Sequence, residues 1–388
     1  MTAPAFTPVE MLAKLVSFDT TSSKTNLPLI EFVAEYLGAH GIACELVHND
    51  DRTKANLLAT LGPLVDGGIV LSGHTDVVPV EGQSWDADPF TLVERDGRLY
   101  GRGTADMKSF LAVALAMVPE LLARGVKAPV HLAFSYDEEV GCLGAPRLVE
   151  RLTAKGVRPK AVIVGEPTAM RVVNAHKAIR AFRTTVTGRE AHSSATHLGA
   201  NAIAAAAELI TFLFSLGDEL RKRGDPSGRF NPPHTTVSVG KIAGGTALNI
   251  IPKTCSFLWE CRLLPGTEAG EIIARMDAKA DEIVDGLRRG APEAAIDTRP
   301  LGSVPPLEPE EDSAAESLAL LLAQKNAAEA VSYGTEAGLF QRAGLSAIVC
   351  GPGDIAEAHR PNEFIETTQI DACVAFFRRM LDVLKSEA

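Results

Sequence analysis

The segment "PVHLAFSYDEEVG", residues 129–141, joins a mostly apolar run directly to three acidic side chains. A short apolar run bounded by polar residues is typical of a strand that is buried on both faces of a sheet. Asp137, Glu138 and Glu139 repel one another, so each must be solvated or paired to stay ionised. The segment therefore predicts a buried strand that ends either in a solvated loop or at a cation site.

Three further runs of the chain have the same apolar character: "GIVLSG" (68–73), "AVIVG" (161–165) and "LSAIVCG" (345–351). Helix candidates at 106–123 and 143–155 lie between these runs. The alternation predicts an α/β fold with a mixed, mainly parallel sheet flanked by helices. In such sheets ligands bind outside the carboxyl ends of the strands.

Imidazole and carboxylate groups follow the predicted strands or precede a helix: His74, Asp106, Glu138, Glu139, Glu166 and His359. Each residue alone fits an ordinary structural role, such as a hydrogen-bonded histidine or a solvated loop. Their convergence on one sheet edge favours a metal site, and the nitrogen and oxygen donors suit zinc or its neighbours. The groups outnumber the ligands of one tetrahedral ion, so two metals roughly 3.5–4 Å apart with a shared carboxylate would explain the surplus.

The middle of the chain has a different pattern. It reads as strand (180–187), helix (about 200–216), two strands (235–242 and 254–263), helix (268–288) and a last strand near Ile296. This order predicts an α+β sandwich inserted into the first domain. We expect a first catalytic part at 1–179, an inserted lid or dimerisation domain at 180–299, and a second catalytic part at 300–388. The stretch "PLGSVPPLEPEE" (300–311) is interpreted as the returning linker.

Bulk composition excludes several classes of protein. The 388 residues favour two or more domains, and a net charge of −11 argues against a nucleic-acid partner. No apolar window is long enough to span a membrane, and the first residues show no secretion signal. Six scattered cysteines without a CxxC pair are typical of a reducing compartment. We therefore expect a cytoplasmic protein.

Eight motifs occur in a diagnostic order: "GHTDVVP" (73–79), "GRGTADMK" (101–108), "DEEVG" (137–141), "GEPT" (165–168), "GREAHSS" (188–194), "GGTALNIIP" (244–252), "SYGTEAG" (332–338) and "AHRPNE" (358–363). The set covers nearly the whole chain and resembles the M20 family of metallopeptidases and deacylases. Within that family, "YGTEAG" and "AHRPNEFI" look most like the acetylornithine deacetylases. Ala105 and Ser109 depart from the commonest pattern without replacing a candidate ligand.

The resemblance implies a role for each candidate residue of the metal site. Asp106 would bridge two Zn²⁺ (or Co²⁺) ions per subunit, and the peptide bond after it would be cis. His74 and Glu166 would complete one ion, whereas Glu139 and His359 would complete the other. Asp76 would hydrogen-bond His74 and fix its tautomer, and Glu138 would be the general base.

The resemblance also implies a homodimer formed through the inserted domain, in which His192 completes the partner's active site by stabilising an oxyanion. Asn249 and Arg262 would bind substrate, although Arg262 fits a surface salt bridge equally well. Further candidates for the substrate pocket are Lys177, Gly334, Thr335 and Glu336. The carboxylate of Glu336 is interpreted as a partner for a cationic amine on the substrate.

Together these features predict a zinc-dependent amide hydrolase that converts N2-acetyl-ornithine to ornithine and acetate in arginine biosynthesis. The alternatives are another family member, such as a succinyl-diaminopimelate desuccinylase, an aminoacylase or a carboxypeptidase, or a metal-binding protein without catalysis. Glu138 argues against the last, because a structural metal site has no use for a base beside its ligands.

Overall fold

The computed structural model describes residues 4–156 and 158–386. The chain divides into two compact units, each described here by itself. The first unit contains the chain up to Ala175, Leu307–Ala330 and the segment from Thr335 onward, and the second contains His176–Pro306 and Val331–Gly334. The boundaries expected at 180 and 299 fall inside the first and last long strands of the second unit.

The helices of the described residues are α1 Pro8–Val16, α2 Leu27–Ala39, α3 Lys108–Ala116, α4 Val118–Arg124, α5 Ala145–Thr153, α6 Ala202–Arg223, α7 Gly270–Arg288, α8 Ala314–Ala323, α9 Ala337–Arg342 and α10 Thr367–Ser386. The strands are β1 Cys44–His48, β2 Ala55–Leu61, β3 Ile69–His74, β4 Val93–Arg95, β5 Arg98–Tyr100, β6 Val130–Ser135, β7 Ala161–Pro167, β8 Val173–His176, β9 Ala178–Thr187, β10 Thr236–Gly244, β11 Thr254–Leu263, β12 Ala295–Val304, β13 Glu329–Val331, β14 Ala347–Gly351 and β15 Phe364–Glu366. Among the described residues, no helix is both long enough and apolar enough to cross a bilayer.

The main sheet has eight strands in the order β1-β2-β6-β3-β7-β14-β8-β13. Strands β6, β3, β7 and β14 run parallel to one another, and β1, β2 and β8 pair antiparallel with their neighbours. Every residue of these four parallel strands is buried, because helices α3 and α8 and the pair α5 and α9 pack against the sheet. The predicted mixed, mainly parallel sheet is confirmed.

The helix candidate at 106–123 is in fact two helices. Met117 separates α3 from α4, and Pro119 stands in the first turn of α4. Proline has no N–H to donate to the preceding turn and its ring clashes with the preceding carbonyl, so a helix through this position breaks. Asp106 and Met107 precede α3 and lie in the loop.

The second unit has a four-stranded antiparallel sheet in the order β10-β11-β9-β12, with α6 and α7 packed against it. This is the predicted α+β sandwich. Alternate residues of β11 are buried and include Phe257 and Trp259, which join Leu209 and Leu213 of α6 in one core. The sheet and the helices each have one apolar face, and the two faces pack against each other to form the core of this unit.

The interpretation of 300–311 as a linker is wrong at its start. Residues 300–304 continue β12 and pair with β9, with a register shift between Pro300 and Gly302. Strand β12 is at the sheet edge, where a proline without an N–H is tolerated at a bulge. The proline-rich composition therefore concealed half of an edge strand.

Candidate metal centre

Five segments of the first unit deliver the predicted ligands to the carboxyl edge of the parallel strands. His74 is the last residue of β3, and Glu166 is the next to last residue of β7. Glu139 follows the end of β6, and His359 follows β14 after a short 3₁₀ turn. Asp106 comes from the loop before α3. The parallel strands end together, so residues distant in sequence meet in space.

Asp106 lies between the two histidines. His74 Nε2 is 3.0 Å from Asp106 Oδ1, and His359 Nε2 is 3.3 Å from Asp106 Oδ2. The remaining contacts fall on opposite sides: His74 Nε2 is 3.7 Å from Glu166 Oε1, and His359 Nε2 is 3.0 Å from Glu139 Oε2. This is the arrangement of two half-sites that share one carboxylate.

The donor set fits divalent cations. The ligand atoms of His74, Asp106 and Glu139 lie within 4.8 Å of one another, and so do those of His74, Glu138 and Glu166. The buried Glu166 Oε1 has no hydrogen-bond partner among the described residues. Burial of an unpaired carboxylate oxygen is costly, and coordination to a cation would satisfy it.

The pKa values of the clustered carboxylates are consistent with cation binding. Burial raises the pKa of Glu138 to about 8 and that of Glu139 to about 7, with neighbouring carboxylates adding to the effect. Burial also raises the pKa of Glu166 well above its usual range. Burial alone would raise the pKa of Asp106, but hydrogen bonds with His359 and His74 outweigh it and lower the pKa. Bound cations would favour the ionised form of these carboxylates.

Asp76 acts on the cluster through two different groups. Its main-chain oxygen is 2.9 Å from His74 Nδ1, whereas its carboxylate Oδ1 is 3.7 Å from that nitrogen. The carboxylate instead accepts hydrogen bonds from the main-chain N–H groups of Glu138 (3.1 Å) and Glu139 (3.3 Å), and from the Ser22 hydroxyl (2.7 Å). The predicted contact with His74 is thus made by the main chain, and the side chain holds the acidic loop.

The three acidic residues at 137–139 have different contacts. Asp137 has a positive φ of 56° and pairs with Lys54, outside the cluster. Glu138 accepts a hydrogen bond from the Cys142 thiol at 3.3 Å. Glu139 contacts His359. Glu138 and Glu139 are thus among the groups that could hold a cation, whereas Asp137 lies outside those groups.

The predicted contact between Glu336 and a substrate amine is not supported, because its side chain is 0% exposed. Its carboxylate accepts hydrogen bonds from the hydroxyls of Ser72 (3.2 Å) and Ser135, which belong to β3 and β6. Thr335 is equally buried, and its hydroxyl accepts a hydrogen bond from the Ala337 N–H at 3.1 Å. Both residues fix the start of α9.

In the second unit, His192 and Asn249 lie side by side and exposed. The Ser193 N–H donates to the Asn249 main-chain oxygen at 3.1 Å, and His192 forms a β-bridge with Ile250. His192 Nδ1 is 2.8 Å from the Ser194 hydroxyl, which orients the ring. The structure therefore places these two predicted residues on one surface.

The other substrate candidates of the second unit are engaged locally. Arg262 donates to both carboxylate oxygens of Glu260, at 3.0 and 3.1 Å, which is the salt-bridge alternative. Lys177 Nζ donates to the main-chain oxygens of Pro232 (2.8 Å) and His234 (2.7 Å). A Cβ on Gly334 would lie 2.7 Å from the side chain of Ile179, so close packing accounts for this glycine.

Sequence reasoning missed Glu363, although it lies in the quoted motif "AHRPNE". The residue is 1% exposed, and its carboxylate accepts a hydrogen bond from the main-chain N–H of Asp106 at 3.1 Å. Its signal in the sequence was weak, because a glutamate in a polar, proline-containing loop is usually solvated.

Two imidazoles and several carboxylates around a shared aspartate, with a further glutamate beside them, define a metal-dependent hydrolase. The chain matches the model of peptidase family M20/M25/M40 over residues 70–383, and it belongs to that family. The peptide bond between Asp106 and Met107 is cis, as the family resemblance implied. Membership makes the protein a metal-dependent amidohydrolase.

Individual relatives are similar over nearly the whole chain. The chain is 37% identical over 374 residues to an acetylornithine deacetylase of Myxococcus xanthus, covering 95% of each chain. An M20 family metallo-carboxypeptidase from Sulfolobus solfataricus has a similar structure, with a TM-score of 0.79, 18% identity, and coverage of 98% and 99% of the two chains. A dinuclear metal-binding M20 peptidase of Bacillus subtilis, YXEP, gives a TM-score of 0.65 at 18% identity over 98% of each chain. At these identities the two solved structures support the fold.

Proposed function

We propose that this protein is a dinuclear zinc or cobalt deacetylase that hydrolyses N2-acetyl-ornithine to ornithine and acetate. The observation that carries the proposal is the cluster in which Asp106 contacts both His74 and His359, with Glu138 beside it. The substrate is taken from the M. xanthus relative, which matches over nearly the full length of both chains, and from the "YGTEAG" motif at 333–338. This substrate would place the protein in arginine biosynthesis, and we propose a cytoplasmic location.

The residues divide the chemistry between them. His74 and Glu166 would hold one metal ion, Glu139 and His359 the other, and Asp106 both. When bound, the ions supply Lewis-acid activation of the water and of the amide carbonyl. Glu138 takes a proton from the attacking water while the oxygen of that water bonds to the acyl carbon. Glu138 then delivers that proton to the amine nitrogen as the C–N bond breaks.

The proposed base is suited to this exchange. Burial raises the pKa of Glu138 and so favours uptake of a proton, whereas bound cations would favour the ionised form, so the carboxylate can take up a proton and return it. The Asp76 carboxylate holds the main-chain N–H of Glu138 at 3.1 Å. This contact fixes the main chain of Glu138 relative to His74, whose ring contacts the Asp76 main-chain oxygen.

We propose further that the protein is a homodimer and that His192 completes the partner's site by donating to the developing oxyanion. The support is the family resemblance, together with the exposure of His192 beside Asn249 on the second unit. His192 Nδ1 contacts the Ser194 hydroxyl, which leaves Nε2 directed elsewhere for a hydrogen bond to substrate.

The deciding experiment measures amine release by zinc- or cobalt-loaded protein from N2-acetyl-ornithine, N-succinyl-diaminopimelate and N-acetyl-methionine. A preference for N2-acetyl-ornithine, lost on treatment with a chelator and restored by metal, supports the proposal. Preference for the succinyl or the neutral substrate overturns the substrate and keeps the metal-centre roles. Hydrolysis that survives complete metal removal overturns the mechanism.

A further inference from the structure

One buried carboxylate binds the main chain of the loop that carries Asp106. Glu363 Oε1 accepts hydrogen bonds from the N–H groups of Ala105 (2.8 Å) and Asp106 (3.1 Å). Glu363 Oε2 accepts from the N–H of Gly103 (3.1 Å) and from Arg102 Nη1 (2.7 Å). Each oxygen accepts two hydrogen bonds, so the carboxylate is fully used.

The same network reaches the loop that carries His359. Arg102 is also 1% exposed, and its Nη1 donates to the main-chain oxygen of Arg360 at 3.3 Å. Its Nη2 donates to Gln83 Oε1 at 2.6 Å, and Gln83 Nε2 donates to the main-chain oxygen of His359 at 2.9 Å. The loop ending in Asp106 and the loop containing His359 are therefore joined by side chains that take no part in the metal cluster.

We propose that Glu363, with Arg102 and Gln83, is a positioning device that presets Asp106 and His359 for metal binding. The proposal rests on the roles proposed above for these two residues as metal ligands. Asp106 and His359 lie on different loops, and their mutual position sets how much reorganisation metal binding requires. A buried carboxylate that satisfies three loop N–H groups holds the loop in one conformation, because leaving those groups unpaired is costly. Partners behind metal ligands typically contribute 10–100-fold in affinity.

The test compares E363Q and Q83A with a matched control, E366Q. Glutamine preserves the size of Glu363, but its amide nitrogen is a donor, so the two hydrogen bonds made to one of the carboxylate oxygens are lost. Gln83 is half-buried, and its removal takes away the direct hold on the His359 main chain. Glu366 is an exposed glutamate three residues after Glu363, and its partner Arg98 is 3.6 Å away.

The readout is Co²⁺ titration of the metal-free protein, followed by visible absorption, with thermal unfolding of the metal-free variants measured in parallel. E363Q is expected to raise both Co²⁺ dissociation constants by about 10–100-fold. Q83A should raise chiefly the dissociation constant of the ion that depends on His359. E366Q should have the wild-type dissociation constants. Excess Co²⁺ should restore kcat of E363Q at an unchanged KM.

Unchanged Co²⁺ affinity in E363Q, with only a lower unfolding temperature, would overturn the proposal and leave Glu363 a structural role. If E363Q does not fold, Q83A decides, and wild-type affinity for both ions in Q83A overturns the proposal. Since Co²⁺ binding is measured without substrate, a protein inactive on N2-acetyl-ornithine would refute the proposed function without affecting this result.

Discussion

The predicted site residues behave differently in the two units of the molecule. In the first unit, His74 and Asp106 are 1% and 5% exposed and contact each other. In the second unit, His192 and Asn249 are exposed, and Arg262 pairs with Glu260. The first unit thus brings its candidate ligands together by itself, from strand ends and from the loops beside them, whereas the candidate residues of the second unit are exposed or paired locally.

The contrast has a physical cause. Strand ends of a parallel sheet are fixed by the pairing of neighbouring strands, so side chains there hold defined positions before any ligand arrives. Loops such as 188–201 and 244–252 are fixed mainly by contacts with each other, for example Ile251 N–H to the Ala191 oxygen at 2.8 Å. The following predictions test whether this division between a preformed centre and a surface awaiting a partner is correct.

The largest effect is expected for the base of the first unit. E138Q should lower kcat by about 10²–10⁴-fold, because a glutamine cannot take the proton of the attacking water. Bound metal, measured by atomic emission, should stay at the wild-type amount, since Glu138 is not assigned as a ligand. D137N, which alters the adjacent carboxylate outside the cluster, is the control. Loss of metal in E138Q would show that Glu138 is a ligand.

The next effect belongs to the second unit. H192A should lower kcat by about 10²–10³-fold, the range for loss of one oxyanion donor, with metal content unchanged. Mixing H192A with E138Q and allowing subunits to exchange should restore about a quarter of wild-type activity, because half of the dimers gain one intact site. H197A, at an exposed histidine of the same unit, is the control. Two inactive variants that never complement each other would show that His192 does not act across a dimer.

A smaller and unselective effect is expected for Glu336. Because it is buried between Ser72 and Ser135, E336Q should change KM for N2-acetyl-ornithine and for neutral N-acetyl-methionine equally, by less than about tenfold. Steady-state kinetics on both substrates checks this. A KM that rises only for the cationic substrate would restore the original interpretation of a direct contact with its amine.

The last prediction concerns stability in acid rather than catalysis. Burial lowers the pKa of His131 from 6.5 to about 4. Between these pH values the unfolded chain binds a proton that the folded chain does not, so the free energy of unfolding falls as pH drops, by up to about 3 kcal/mol. H131N should flatten this slope in urea unfolding of metal-free protein from pH 7 to 4.5, whereas H197N should not. An unchanged slope in H131N would show that His131 is not responsible.

Much of the fold could be predicted from local sequence. The apolar runs gave the four buried parallel strands, because a strand covered on both faces needs apolar residues at every position. The order of strands and helices in the second unit followed from the change between alternating and helical periodicity. The sequence-based predictions failed at two prolines. Pro119 is in the first turn of a second helix where one helix was predicted, and Pro300 hid the continuation of β12.

The sequence by itself determined the family and predicted the candidate ligands and the proposed base, since those rest on residue types in a fixed order along the chain. Only the tertiary structure showed that Glu336 is buried, that Asp76 reaches His74 through its main chain, and that Glu363 holds the Asp106 loop. These are properties of burial and of long-range hydrogen bonds between segments such as 101–107 and 354–363. Local pattern carries no information about which buried donor meets which acceptor, because chain topology brings those atoms together.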